Sequence, residues 1–227
     1  MYELTDEERA SIKQRASADF QGEALAIPIG DPIHELIVVA PFDRKAYSEY
    51  DDAEDKDPQT AYSKALYDRL LFPDFATLAA ISARWPALPE IVAREMRREA
   101  GAVYPEHIAE PLDIKKLPDG LNKDAASKLV SEANGANLWT VGVPGFVCVM
   151  RAPEPNSWIA ARAMYDDAVR KGSGKIDVID PYVRAAVVWC AEPIADALAR
   201  KPARVWPLWY GFKRIGGEGA QARTFRL

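Results

Sequence analysis

The sequence predicts an α+β protein, mainly helical, built from two similar units, each a short strand pair followed by about four helices. Three observations carry this. Pairs of β-branched apolar runs open each half and give way to apolar residues at helical spacing. The order of these signals recurs along the chain. With 227 residues, 48% of them hydrophobic and 28% charged, a core can form without disulfides or a structural metal, because a chain of this size buries roughly 70% of its unfolded surface.

Thr5 and Glu8 have capping-box spacing, which predicts an N-terminal helix over 6–18 within a segment 1–23. The first unit, 24–102, begins with strands over 24–29 and 35–40, with Gly30, Asp31 and Pro32 supplying the turn. Four helices follow. Ala46, Tyr47 and Tyr50 space one; Ala61, Leu66, Leu70 and Leu71 space a second, broken by Pro73. Phe75, Leu78, Ile81 and Ala83 space a third, broken by Pro86, and Ile91, Val92, Ala93 and Met96 a fourth, stopped by Gly101.

Residues 103–137 are expected to be a linker with its own helix. The stretch 103–121 holds three prolines and little periodicity, then Asn122 caps a helix through Glu132 that Asn134-Gly135 closes. The second unit, 138–217, repeats the grammar with strands over 138–143 and 146–150 and a turn at 142–145. Asp180-Pro181 is expected to open a helix as cap and first residue, Pro193 to restart the chain, Pro202 to stop it, and Gly216-Gly217 to end the last helix. The tail, 218–227, is small, polar and basic, and is expected to be an arm that orders against a partner.

The repeat rests on specific matches. Ala40-Pro41 and then Tyr50-Asp51-Asp52-Ala53 recur as Ala152-Pro153 and Tyr165-Asp166-Asp167-Ala168. At a constant offset of 116, Ala79, Ala83, Arg84, Pro86, Ala87, Arg98 and Gly101 fall opposite Ala195, Ala199, Arg200, Pro202, Ala203, Arg214 and Gly217. In the same register, Leu71, Leu78, Val92 and Met96 fall opposite Val187, Ile194, Leu208 and Phe212.

The sequence contains none of the usual catalytic patterns: no G-x-S-x-G, no phosphate-binding G-x-x-x-x-G-K-[ST], no H-E-x-x-H and no paired C-x-x-C. The acidic run 49–57 lacks the alternating ligands and central glycine of a calcium loop and is expected to be a solvated helix end. Cys148 and Cys190 sit in apolar runs, where a cysteine is an inert small hydrophobe, and His34 and His107 stand alone. No catalytic, metal-binding or cofactor-binding residue is therefore expected, and no cofactor.

No apolar run reaches the length of about 20 residues that spans a bilayer, and the N-terminus is acidic where a secretory leader is basic and then apolar. The net charge of −5 is unevenly spread. Residues 1–110 carry 12 Lys+Arg against 22 Asp+Glu, a net −10, and residues 111–227 carry 17 against 12, a net +5. Such polarity reads as two solvated surfaces of different sign; it can also serve a nucleic acid, and equally suits head-to-tail association with a second copy or with a partner.

The segment 205–212, VWPLWYGF, is rich in aromatics flanked by Arg204, Lys213 and Arg214. It reads either as a core wedge or as an assembly surface; base stacking in a basic groove is disfavoured by the overall acidic charge. Trp206 precedes a proline, which restricts it to extended backbone at the helix entrance. The stripe is therefore expected to split, with Leu208, Trp209 and Phe212 packed inward and Trp206, Tyr210 and Arg214 facing a partner.

The segments VVAPFDRKAYSEY (38–50) and LYDRLLFPDFATLAAISARWPALPEIVAREMRREAG (66–101) resemble small tail assembly chaperones of tailed bacteriophages. The likeness lies in a short strand, a Tyr-bearing helix start, an apolar helix ending near Pro73, a Leu-rich helix, the Trp85-Pro-Ala-Leu-Pro turn and a helix ending in Ala-Gly. It covers about a third of the chain and extends to the second unit only through the internal repeat, where Lys201-Pro-Ala-Arg-Val replaces the turn. The resemblance implies a non-enzymatic, mostly helical protein acting on tail tube, tape-measure or other virion proteins in the host bacterial cytoplasm. A permanent structural component of the tail or head-to-tail region and a nucleic-acid-binding accessory factor are the alternatives. The candidate partner-binding residues are Trp206, Tyr210, Arg214 and Arg204, with Trp85 and Leu88 in the corresponding turn of the first unit.

Overall fold

Helix α1 (Asp6–Asp19) starts where its cap dictates. The Thr5 hydroxyl accepts the Glu8 N–H at 3.3 Å, and the Glu8 carboxylate accepts the Thr5 N–H at 2.7 Å, so two otherwise unbonded donors are satisfied reciprocally. Its Ile12 and Ala16 pack on Val38, Ala40 and Leu71 of the sheet that follows. The computed structural model describes residues 4–30, 33–102, 109–134, 137–143 and 145–216, and it divides into two units, 1–101 and 102–227. Both are mainly helical with a small antiparallel sheet, the α+β class expected.

In the first unit, β1 (Leu25–Pro28), β2 (Leu36–Val39) and β3 (Leu70–Phe72) form an antiparallel sheet in that order. Helices α2 (Arg44–Glu54) and α3 (Pro58–Asp68) connect β2 to β3, and α4 (Phe75–Arg84) and α5 (Leu88–Glu99) follow. Asp43, Asp57 and Asp74 cap α2, α3 and α4 by accepting backbone N–H groups of Ala46, Thr60, and Ala76 with Thr77. One face of the sheet carries α1; on the other, Ile37 and Val39 are fully buried.

Strand β3 corrects the expectation of a helix running to Pro73. The spacing of Leu66, Leu70 and Leu71 suits a helix, yet the backbone leaves the helical region at Arg69, and a three-residue apolar run serves equally well as a buried strand. Two arginines hold it. Arg15 of α1 donates to the carbonyls of Leu70 and Leu71, each at 2.8 Å. The Arg69 guanidinium, almost fully buried, donates to the carbonyls of Ala40 and Pro41 and to the Asp43 carboxylate, and lies 5.1 Å above the Phe20 ring.

The acidic run is also less solvated than expected. Asp51 is turned inward on α2 beside Tyr47 and Tyr50, whereas Asp55 and Asp57 are exposed, Asp57 serving as a cap. Hydrogen bonds from Thr60, chiefly its hydroxyl, and from Thr77, chiefly its N–H, hold the Asp57 and Asp74 carboxyls below the ordinary carboxylate range. A depressed folded value contributes stability that is present above the unfolded value and lost as pH falls through the folded one. Replacing both aspartates by asparagine, which caps without titrating, should flatten the acid-side decline in melting temperature below pH 4, followed by circular dichroism.

In the second unit, β4 (Ala109–Pro111), β5 (Leu138–Val143), β6 (Phe146–Arg151) and β7 (Val187–Cys190) form one antiparallel sheet in that order. Helix α6 (Lys123–Glu132), capped by Asn122, lies on one face. Its Ala126 and Leu129 join Leu121, Leu138, Val149 and Trp189 in a cluster. The expected linker thus belongs to this unit: β4 pairs with β5 through Ala109 and Val141, and α6 supplies part of the core. A proline-bearing stretch without helical period hid a strand of only three residues.

Helices α7 (Pro155–Lys171) and α8 (Lys175–Ala186) link β6 to β7, and α9 (Ile194–Arg200), a 3-10 turn at Pro202–Arg204, and α10 (Val205–Ile215) complete the unit. Helix α8 starts earlier than expected, with Gly174 as its cap and Pro181 inside it. Asp180 is therefore not a cap; its carboxylate takes the Nε of Arg184 at 2.8 and 2.9 Å.

Each unit runs helix, hairpin, two helices, strand, two helices, the second adding β4. The likeness is one of topology and reaches some local detail. The helix-to-helix turns have the same backbone at Trp85 (φ −128°, ψ 79°) and Lys201 (φ −134°, ψ 80°). Leu88 N–H to Trp85 carbonyl and Arg204 N–H to Lys201 carbonyl, both 3.0 Å, are matching bonds. Among the described residues no helix is long and apolar enough to cross a membrane.

Candidate functional site

Helix α10 is the most aromatic element among the described residues, and its inward set is the one the sequence suggests. Val205, Leu208, Trp209 and Phe212 are buried, and the positions matching the last three in the first unit, Val92, Ala93 and Met96, are buried too. Trp209 stacks on Phe212 at 5.4 Å, Tyr165 of α7 lies 5.2 Å from Trp209, and Trp158 lies 5.6 Å from Phe212. The helix comes this close to the sheet because position 211 is glycine: a Cβ there would sit 2.8 Å from a methyl of Val141 on β5. A Cβ at Gly216 would likewise meet the Trp158 ring at 2.7 Å.

The outer side holds the other candidates. Tyr210 is 39% exposed, with the Lys213 ammonium 5.1 Å from its ring centre, and Arg214 is exposed. Trp206 is half-buried, with Tyr210 at 6.2 Å, Tyr165 at 6.3 Å and the Lys175 ammonium at 5.9 Å. It is helical rather than extended, because α10 starts at Val205 and Pro207 occupies the third position, where the missing N–H has no intrahelical acceptor to lose.

Arg204 and Leu88 are not surface groups. The Arg204 guanidinium donates to Glu192 at 2.8 Å, reaches the Gly145 carbonyl at 3.4 Å and lies 4.5 Å above the Phe146 ring. Leu88 is fully buried at the start of α5. A flanking arginine and a turn leucine look alike in sequence whether they bind outward or pin the fold. Trp85 is half-buried beneath the Arg84 guanidinium.

A surface not read from the sequence lies on α7. This helix of 17 residues buries only Ala161 and Ala168. Ile159 is 64% exposed, Met164 45% and Val169 47%, and Ala160 and Ala163 are exposed between them. Ile159, Ala160, Ala163 and Met164 follow the i, i+1, i+4, i+5 spacing of one helical face. The sequence signal was present as apolar helical period, which by default reads as core.

The tail, 218–227, and His107 lie outside the described residues. No group of three or more His, Cys, Asp or Glu among the described residues is arranged to hold a metal ion. Compared with protein-family models, curated proteins and solved structures, the chain matches none.

Proposed function

We propose that the chain is a non-enzymatic bacteriophage protein that binds tail structural proteins, a tail assembly chaperone working in the host bacterial cytoplasm on tail tube or tape-measure subunits. The resemblance of 38–50 and 66–101 to such chaperones supplies the class. The observation that carries binding is the apolar face of α7, where Ile159 and Met164 stand exposed while the helix buries only two alanines. Apolar residues aligned on one face of a surface helix are the usual means of docking against an apolar groove or helix. Tyr210, Lys213 and Arg214 add an aromatic and basic patch on α10, the composition that concentrates binding energy at interfaces.

Co-expression with the tail tube and tape-measure proteins of the encoding phage tests this. Capture of one of them is expected, and Ile159→Asp with Met164→Asp should weaken it at least tenfold while leaving the melting temperature within about 2 °C, since exposed positions contribute little to stability. Mass spectrometry of purified particles separates the readings. Absence from finished virions is expected; stoichiometric presence would make the protein a permanent tail or head-to-tail component instead.

A further inference from the structure

The two cysteines, far apart in sequence, are brought face to face by the second sheet. Cys148 of β6 and Cys190 of β7 are direct partners in the antiparallel register. The backbone bonds fix which kind of partner. Ala191 N–H donates to the Val147 carbonyl, and Ala152 N–H to the Asn137 carbonyl; alternation along the ladders then points the amide groups of Cys148 toward Val141 on β5, its partner there. Toward β7 the cysteine pair therefore occupies a non-hydrogen-bonded site, where side chains lie closest and Cα atoms are about 4.5 Å apart. That spacing is at the short end of the range a disulfide spans. Both are free thiols, Cys148 buried and Cys190 half-buried with its Sγ 3.7 Å from the Val147 carbonyl.

We propose that Cys148 and Cys190 form a reversible cross-strand disulfide by exchange with a low-molecular-weight disulfide such as oxidised glutathione. Cys190, the more accessible and on the edge strand, reacts first: its thiolate attacks one glutathione sulfur, forms the mixed disulfide and expels glutathione thiolate. The Cys148 thiolate then attacks Cys190 Sγ and releases the second glutathione. Two protein thiols lose two electrons and two protons, and one glutathione disulfide becomes two thiols. Burial raises both thiols above their ordinary range, Cys148 far above it, so the exchange is slow; the Ala191 N–H and the nearby Arg204 charge partly favour the Cys190 thiolate. The bond would close the excursion containing α7 and α8, and with it the apolar face of α7.

The test treats the full chain under native conditions with excess oxidised glutathione, blocks remaining thiols with a maleimide, and reads intact mass, a non-reduced digest and the melting temperature. A mass loss of about 2 Da, a peptide joining Cys148 to Cys190, and a melting temperature higher by on the order of 5–10 °C and restored by dithiothreitol are expected for a closed loop of about 40 residues. Cys148→Ala should instead retain one glutathione on Cys190. Stable glutathione on wild-type Cys190, two maleimide-reactive thiols, or a disulfide between chains would overturn the proposal. A linked product that melts no higher than the reduced protein would overturn the claim that the fold holds the pair ready to join.

Discussion

Trp209→Ala should cost the second unit about 3 to 5 kcal/mol, the range for removing a large aromatic from a close-packed core. The ring is fully buried and meets Phe212 and Tyr165, on a helix held against β5 by a glycine. No neighbour can collapse into the vacancy without moving α7, α10 or the sheet. Trp206→Ala, one turn earlier and half-buried, should cost about 1 to 2 kcal/mol for the apolar surface it loses, with its larger effect on partner affinity. Paired melting and binding curves decide between these roles. Loss of the fold in Trp206→Ala with Trp209→Ala unaffected would reverse them.

Arg69→Leu is expected to be nearly as damaging to the first unit, at about 3 kcal/mol or more. Its side chain ties the end of β2 to the start of β3 by bonding the carbonyls of Ala40 and Pro41 and the Asp43 carboxylate. Leucine keeps the bulk but leaves the carbonyls of buried Ala40 and half-buried Pro41 without this donor, at about 1 to 3 kcal/mol for each unsatisfied group. Lysine offers one charged nitrogen where several donors in a planar fork are used, so Arg69→Lys should recover less than half of the loss in urea unfolding. Full recovery by lysine would show that charge, not the fork, matters.

Much of the frame was legible in sequence because it is written in local chemistry. Thr5 with Glu8 and Asn122 announce their helices, since a cap needs only residues three positions apart. The hairpins were legible from β-branched runs broken by turn residues. What escaped depends on distant partners. Leu70–Phe72 and Val187–Cys190 are strands only because another strand lies beside them, and three or four apolar residues carry no decisive period of their own. Pro181 looked like a helix start and is interior, because the helix had already opened after Gly174. Within the site, the inward set on α10 followed from spacing, whereas Arg204 and Leu88 were drawn inward by partners no spacing reveals. The meeting of Cys148 with Cys190 is a fact of register alone.

Two edge strands carry proline at a telling place. The Ile29 N–H bond to Glu35 and the Leu112 N–H bond to Leu138 fix the alternation of β1 and β4, and in both the proline nitrogen, at Pro28 and Pro111, points away from the neighbouring strand toward the open side of the sheet. An incoming strand finds no donor there and meets a ring. Main-chain pairing of a second copy along these two rims, the one mode of association that any sequence can enter, is thus interrupted where each ring stands. Along these two rims contact is left more to side chains, which distinguish one neighbour from another and can let go.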